Sequence, residues 1–108
     1  MGRREDDWGH GNGAVQIIIL RYAPDSPEIR ASLDAHRAFL NRYVGNGEFV
    51  CCGPLPGRAG EVIIARRKMR EDAGKVMEKE PYVAGGCATF EIFSFNPSAY
   101  ADGFEKFL

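Results

Sequence analysis

The fold is decided by the stretch at residues 29–43, which reads IRASLDAHRAFLNRY. Its bulky residues recur at alternating steps of four and three, the repeat of the buried stripe of an amphipathic helix. The stripe consists of Ile29, Leu33, His36, Leu40 and Tyr43. His36 therefore occupies an apolar position, and its imidazole must either be hydrogen-bonded inside the core or line a cavity.

The flanking sequence defines the two ends of this helix. Ser26 and Pro27 suit the N-cap and the first helical position. The glycine-rich residues 45–47 favour an end after about Val44. Upstream, residues 14–22 are rich in β-branched side chains and predict the first strand.

The remaining elements complete a known order. The pattern predicts strands over residues 48–53, 61–67 and 87–95 and a second helix over residues 69–79. The order β-α-β-β-α-β is that of the ferredoxin-like α+β fold, in which a four-stranded antiparallel sheet carries two helices on one face. We expect a flexible extension over residues 1–13, one folded domain over residues 14–97 and a docking tail with a short helix over residues 98–108.

The first and fourth strands are apolar on both faces, because odd and even positions of both are mainly apolar. Two helices can cover only one face of a sheet. A second copy of the sheet is the simplest cover for the other face. We therefore expect a homodimer packed through the open sheet face, with a cavity for a small-molecule ligand where helix and strand ends meet.

Composition excludes several classes of partner. Fourteen Lys and Arg residues against fifteen Asp and Glu give a net charge of -1, which offers no general attraction to nucleic acid or anionic lipid. RNA recognition motifs share this topology but stack bases on aromatic residues of the first and third strands, and residues 61–67 contain no aromatic. The apolar run at residues 14–20 is too short to span a membrane. We expect neither a nucleic-acid nor a membrane partner.

Three cysteines, Cys51, Cys52 and Cys87, match neither a disulfide framework nor a zinc spacing. They favour a cytoplasmic protein with no metal. We also expect no cofactor. Adjacent residues of a strand point to opposite faces, so at most one of Cys51 and Cys52 can join a site. We expect both to be buried and unreactive.

Three motifs together resemble the YciI-related (YCII domain) family. They are residues 34–40 (DAHRAFL), residues 53–56 (GPLP) and residues 80–86 (EPYVAGG). The family has a similar pattern, with a helix-borne histidine in the context A-H-x-x-x-L, a G-P-x-P after the second strand and a D-P-[FY] segment after the second helix. The resemblance covers about residues 14–97 and implies a dimeric α/β barrel related to the ferredoxin-like fold.

The resemblance also implies an active site built from the family's histidine and the aspartate of D-P-[FY]. The matching positions are His36 and Glu80, so a glutamate stands where the family has an aspartate. Leu33 stands where members often carry a basic residue. A carboxylate that accepts one ring N–H would fix the tautomer of the imidazole and stabilise its protonated form. The other ring nitrogen would then act as a general acid or base at the cavity.

Five further residues are expected to line the substrate cavity: Arg21, Tyr22, Gly53, Pro54 and Tyr82. Gly53 and Pro54 would shape the loop at the cavity mouth, where glycine permits close approach of the backbone. Arg21 and Tyr22 lie near the end of the first strand and Tyr82 follows Glu80 closely. A purely structural role remains open for these three residues.

Two functions remain open. The first is a cofactorless enzyme that uses the His-acid pair for isomerisation, elimination or dehydrohalogenation of a small cyclic or aromatic molecule. The second is a non-catalytic dimeric domain that binds a small ligand or serves as an accessory subunit, and the departures at Glu80 and Leu33 favour it. On spacing alone, His36 also fits a hydrogen-bonded core histidine.

Overall fold

The computed structural model describes residues 15–66 and 69–108, which form one antiparallel sheet with helices on one face. The strands are β1 (Val15–Tyr22), β2 (Phe49–Pro54), β3 (Gly60–Arg66) and β4 (Ala88–Phe95). Their order in the sheet is β2-β3-β1-β4, and all three neighbouring pairs are antiparallel. The predicted ferredoxin-like α+β fold is therefore confirmed, with strand bounds within one residue of those expected.

The predicted first helix is present but is divided in two. Helix α1 spans Pro27–Ala31 and helix α2 spans Leu33–Gly45. Ser32 leaves the helical region between them, with φ -102° and ψ 12°. Its carbonyl still accepts a hydrogen bond from the backbone N–H of His36, so α2 starts directly after the break. The expectation of one continuous helix is wrong at this residue.

The second helix also differs from the prediction, since α3 spans only Ala73–Glu78. It begins where Asp72 accepts a hydrogen bond from the backbone N–H of Lys75, because an N-cap side chain satisfies a donor that has no partner within the helix. The predicted start at residue 69 was therefore too early. A further short helix, α4 (Pro81–Ala84), occupies part of the segment that was expected to be a plain connection.

The core lies between the sheet and the helices. Inward-facing residues of neighbouring strands pair across the sheet, as Ile18 does with Ile63 on one side and Ile92 on the other. The fully buried positions of this core include Ile18, Leu20, Ile63, Ala65, Val76 and Met77. Alternation places Tyr22 and Glu61 on the same inward face, beyond the end of the apolar stack. The site described below is built at that end.

The opposite face of the sheet is apolar as well. Its large side chains are Ile17, Ile19, Val62, Ile64, Phe93 and Phe95. Phe93 and Phe95 are 51% and 45% exposed, which makes them the most exposed large hydrophobic residues of the part of the chain described. The prediction that β1 and β4 are apolar on both faces is confirmed.

The tail contains a 3₁₀ turn at Phe104–Phe107 and not the predicted helix. Gly103 has φ 94°, a left-handed conformation that interrupts any helix at that residue. The guanidinium of Arg66 lies 5.4 Å from the ring centre of Phe107, so the tail returns to the end of β3. The predicted extension at residues 1–13 lies outside the described residues. No helix within residues 15–66 and 69–108 is long and apolar enough to cross a membrane.

Candidate active site

An open cavity of about 1360 Å³ lies between the helices and one end of the sheet. One wall comes from α1 and from residues 33–41 of α2, including Leu33, His36 and Leu40. The other comes from the ends of β1 and β2, from the connection between β2 and β3, and from Glu61 at the start of β3. Tyr82 of α4 completes the lining.

Glu80 is fixed by the local sequence at the start of α4. The residue before a proline is kept out of the helical region, and Glu80 accordingly has φ -63° and ψ 133° and serves as the N-cap. Its Oε1 accepts hydrogen bonds from the backbone N–H groups of Tyr82 and Val83, at 3.1 and 3.2 Å. The side chain is fully buried. Two backbone donors therefore hold this carboxylate in place without any contribution from solvent.

His36 is the second partner of Glu80. Its Nδ1 lies 2.7 Å from the remaining oxygen of Glu80, Oε2. Because a carboxylate accepts hydrogen bonds and cannot donate them, this contact favours the tautomer with its proton on Nδ1. His36 itself is only 3% exposed. The hydrogen bond that the family resemblance implied is present, and the extra methylene of the glutamate does not prevent it.

Aromatic rings enclose the imidazole. The rings of His36 and Tyr82 are stacked, with centroids 4.1 Å apart and planes inclined by 13°. Tyr22 meets Tyr82 edge-on at 5.2 Å and His36 edge-on at 6.2 Å. The stack covers one face of the imidazole, and Nε2 lies on the side of Glu61, which itself lines the cavity.

Glu61 is a site residue that the sequence analysis missed. Its Oε1 lies 3.4 Å from Nε2 of His36 and accepts a hydrogen bond of 3.3 Å from the hydroxyl of Tyr22. Its side chain is only 12% exposed. A signal was available, because Glu61 shares the parity of Ile63 and Ala65, which face the core. A charged residue at an inward position of a strand is as notable as a histidine on an apolar helix stripe.

The geometry places His36 between two carboxylates. An imidazole with ionised carboxylates at both ring nitrogens can satisfy both only as the imidazolium. The contact on the Glu80 side is short and buried, whereas the contact on the Glu61 side is longer and borders the cavity. A ligand oxygen that displaced Glu61 would meet the Nε2–H of His36 directly. The arrangement is suited to proton transfer at Nε2.

The hydroxyl and thiol groups around the cavity are held in their protonated forms. Burial raises the pKa of Tyr22 far above its ordinary value of 10.0, and the charge of Glu61 raises it further. Burial likewise raises the pKa of Tyr82, with the charge of Glu80 acting in the same direction. The thiol of Cys52, which also lines the cavity, has a pKa raised by burial and then by Glu61. These groups are hydrogen-bond donors at neutral pH and not nucleophiles.

The structure brings most of the predicted site residues together. Tyr22, Pro54 and Tyr82 line the cavity with His36, and Glu80 lies directly behind the imidazole. Arg21 and Gly53 do not line it. Arg21 points to the other face of the sheet, where its Nε lies 3.3 Å from Glu91. Cys51 is exposed, so the expectation that both adjacent cysteines are buried is wrong.

The acidic residues of the site are engaged with protein partners. Both oxygens of Glu80 accept hydrogen bonds from within the chain, which leaves neither of them directed at the cavity. Across residues 15–66 and 69–108, no three His, Cys, Asp or Glu side chains are grouped so that they could hold a metal ion.

The fold and the site together define a ferredoxin-like α+β protein with a buried His-acid pair at the edge of an open cavity. The model of the YCII-related domain matches residues 15–96. The chain belongs to the YCII-related domain family.

One solved structure extends this comparison. It is that of 5-chloro-2-hydroxyhydroquinone dehydrochlorinase from Burkholderia phenoliruptrix AC1100, in complex with 2,5-dihydroxybenzoquinone. The two chains are 17% identical and superpose with a TM-score of 0.64, over 75% of this chain and 92% of that chain. At this identity the likeness shows the fold alone. No curated protein gives a significant match to the sequence.

Proposed function

We propose that this protein is a cofactorless enzyme that carries out acid-base chemistry on a small cyclic or aromatic molecule. One observation carries the proposal. A fully buried carboxylate, Glu80, fixes the proton on Nδ1 of His36, and the opposite ring nitrogen lies at the cavity 3.4 Å from a second carboxylate, Glu61. A purely structural histidine needs neither the cavity nor the second acid.

The proposed roles follow from the two contacts of the imidazole. Glu80 orients His36 and balances the charge of its protonated form. His36 transfers a proton through Nε2, as an acid when it carries that proton and as a base after losing it. Glu61, a carboxylate beside the same nitrogen, is placed to accept a proton from the substrate. An acid and a base on one side of a cavity suit reactions that move a proton between two positions of a ring.

Isomerisation, elimination and dehydrohalogenation all fit this description. In a dehydrohalogenation a base removes a proton, its bonding electrons form a new double bond and the halide leaves. The named activity of the structurally similar dehydrochlorinase, on a chlorinated hydroxyhydroquinone, makes that reaction class the first to test. The choice of substrate class rests on analogy between folds.

A second function is favoured by one specific observation. Nε2 of His36 already contacts Glu61 in the protein itself, as expected for a histidine that holds the cavity wall through both ring nitrogens. The protein would then be a non-catalytic dimeric domain that binds a small ligand or acts as an accessory subunit.

Under either function we propose a homodimer formed through the outer face of the sheet. Support comes from Phe93 and Phe95, whose side chains are about half exposed. They share the outer face of the sheet with the apolar residues Ile17 and Ile64. Burial of such a patch against a second copy removes apolar surface from water on both chains. We further propose that the protein works in the cytoplasm, where its three free thiols would remain reduced.

The two proposed functions predict different results in one experiment. Wild type, His36→Gln and His10→Gln are incubated with chlorinated hydroquinones, hydroxyquinols and unsaturated lactones, while binding of each compound is measured separately. The enzyme proposal expects turnover by wild type and by His10→Gln, and a loss of about 10²- to 10⁴-fold in His36→Gln with binding retained. Binding by all three proteins without turnover in any of them would contradict the enzyme proposal and support the binding domain.

A further inference from the structure

Three arginine side chains line the cavity above the His36 site. Arg30 comes from α1, Arg37 from α2, and Arg58 from the connection between β2 and β3. Within the described residues none of the three forms an ion pair with a carboxylate. Cations thus stand on both walls of the cavity and have no protein counter-charge in contact with them.

Three arginines elsewhere on the described part of the chain contact neighbouring side chains. Arg21 pairs with Glu91. Arg42 lies over the ring of Tyr43 at 5.6 Å, and Arg66 lies over a phenylalanine of the tail. Cations with protein partners contribute to the stability of the fold, whereas cations that line a cavity without an ion-pair partner are available to a ligand.

Two residues that line the cavity have an unusual backbone conformation. The only two non-glycine residues with positive φ among those described are Asp25 and Arg58, both at 57°, and both line the cavity. A non-glycine residue in this conformation is held there at a cost in free energy. Such residues cluster at ligand sites. Arg58 follows Gly57, which has φ 74°, so two left-handed residues in succession shape the turn that carries the Arg58 side chain.

Positive charge predominates at the exposed rim of the cavity. His36 and Glu61 are largely buried and form its floor, whereas three arginines, Arg30, Arg37 and Arg58, and one carboxylate, Asp25, are exposed at its rim. Glu61 would repel an anionic group at the floor, and the guanidinium groups would attract it at the rim. A ligand with one anionic end would therefore bind with that end outward and its uncharged part over Nε2 of His36.

We propose that Arg30, Arg37 and Arg58 form a binding site for an anionic oxyacid group, a carboxylate or a phosphate, on the molecule that occupies this cavity. Guanidinium groups pair with such groups through two parallel hydrogen bonds, which fixes orientation as well as affinity. The further claim that the substrate of the proposed reaction is an anionic ring compound rests on the proposed function. The binding site itself does not, since it requires no turnover.

The test compares three ring compounds of similar size in equilibrium titrations by NMR with the full chain. Benzoate and phenyl phosphate carry the two candidate groups, and benzamide is the neutral counterpart of benzoate. We expect benzoate, phenyl phosphate or both to bind at least about ten-fold more tightly than benzamide, as charge-assisted hydrogen bonds allow. The comparison of the two anions identifies which oxyacid group is preferred.

Variants locate the source of that preference. The triple variant Arg30→Gln, Arg37→Gln and Arg58→Gln is expected to lose the preference for anions. The control Arg42→Gln, on the same helix as Arg37 but outside the cavity, is expected to keep it. All three substituted side chains are exposed, so folding should be preserved, and far-ultraviolet circular dichroism checks this. Equal binding of benzoate, phenyl phosphate and benzamide would overturn the proposal. So would an anion preference that persists in the triple variant, or no binding of either anion at millimolar concentration.

The readout is binding, so the two proposals fail separately. Loss of turnover in His36→Gln with the anion preference intact would leave the arginine site standing. Turnover of neutral compounds only, with no anion preference, would leave the His36 proposal standing and remove the arginine site.

Discussion

The imidazole of His36 and the carboxylate of Glu80 are joined by a buried hydrogen bond of 2.7 Å between Nδ1 and Oε2. The other oxygen of Glu80 caps α4, the helix that carries Tyr82, and the ring of Tyr82 stacks on His36. Glu80 therefore positions the imidazole in two ways, by bonding to Nδ1 at its edge and by capping the helix that carries the ring stacked on its face. This coupling explains why a short segment after α3 positions a residue 44 places earlier in the chain.

Glu80→Gln should destabilise the protein. The oxygen of glutamine can keep the two backbone hydrogen bonds, but its NH2 group faces Nδ1, so the charge-assisted hydrogen bond from Nδ1 to a carboxylate is lost. We expect the free energy of unfolding to fall by about 1–3 kcal/mol, the range for a hydrogen bond to a charged group, as measured by urea denaturation. Glu78→Gln, an exposed position at the end of α3, is the control. Equal stability of the two variants would contradict the described role of Glu80.

Tyr22 should make the stability sensitive to alkaline pH. Its native pKa lies above the ordinary 10.0 through burial and through Glu61, so between these values the native state keeps a proton that the unfolded state releases. The contribution of Tyr22 to the free energy of unfolding is fully present below the pKa of tyrosine in the unfolded state. It falls as pH rises above that value. Urea denaturation across that range should show a shallower fall for Tyr22→Phe than for wild type. Identical pH dependence in the two proteins would exclude the buried Tyr22–Glu61 contact.

Gly60 should not tolerate a side chain. A Cβ at this position would overlap the backbone carbonyl oxygen of Leu20, and backbone cannot move aside without separating β1 from β3. We expect Gly60→Ala to cost at least about 1–3 kcal/mol in the free energy of unfolding, as overpacked sites do. At Gly53 nothing lies within 4 Å of the added carbon, so Gly53→Ala is the matched control. A similar small change in both variants would contradict the close approach at Gly60.

Phe93→Asp should dissociate the proposed dimer. A carboxylate at the centre of an apolar interface cannot be buried without a partner. Light scattering coupled to size-exclusion chromatography should give a dimer mass for wild type and a monomer mass for the variant. Val44→Asp introduces the same charge at an exposed apolar position of α2, away from the outer sheet face, and should remain dimeric. A monomeric wild type, or a dimer that survives Phe93→Asp, would remove this interface.

Local periodicity was sufficient for the element order and for part of the site. The stripe through His36 predicted a buried imidazole, and the two-sided apolar pattern of β1 predicted an apolar outer face, because both depend on residues close in sequence. The short hydrogen bond to Glu80 needed more than periodicity. The family resemblance supplied that pairing.

Three features depended on long-range geometry. Glu61 reaches His36 only because β3 pairs with β1 in a register that sets Glu61 opposite Leu20, which a local pattern does not give. Arg21 was expected at the cavity together with Tyr22, although neighbours in a strand point to opposite faces and only one of them can reach it. The tail has helical spacing, yet Gly103 takes a left-handed conformation and limits it to a 3₁₀ turn.

The central claim is that Glu80 holds a proton on Nδ1 of His36, so that Nε2 is the nitrogen that exchanges protons at the cavity. The most direct test is ¹⁵N NMR of protein labelled at its two histidines, with His36 assigned from its absence in His36→Gln. We expect the neutral imidazole of His36 to carry its proton on Nδ1, with Nε2 unprotonated. A neutral His36 with its proton on Nε2 and none on Nδ1 would contradict it.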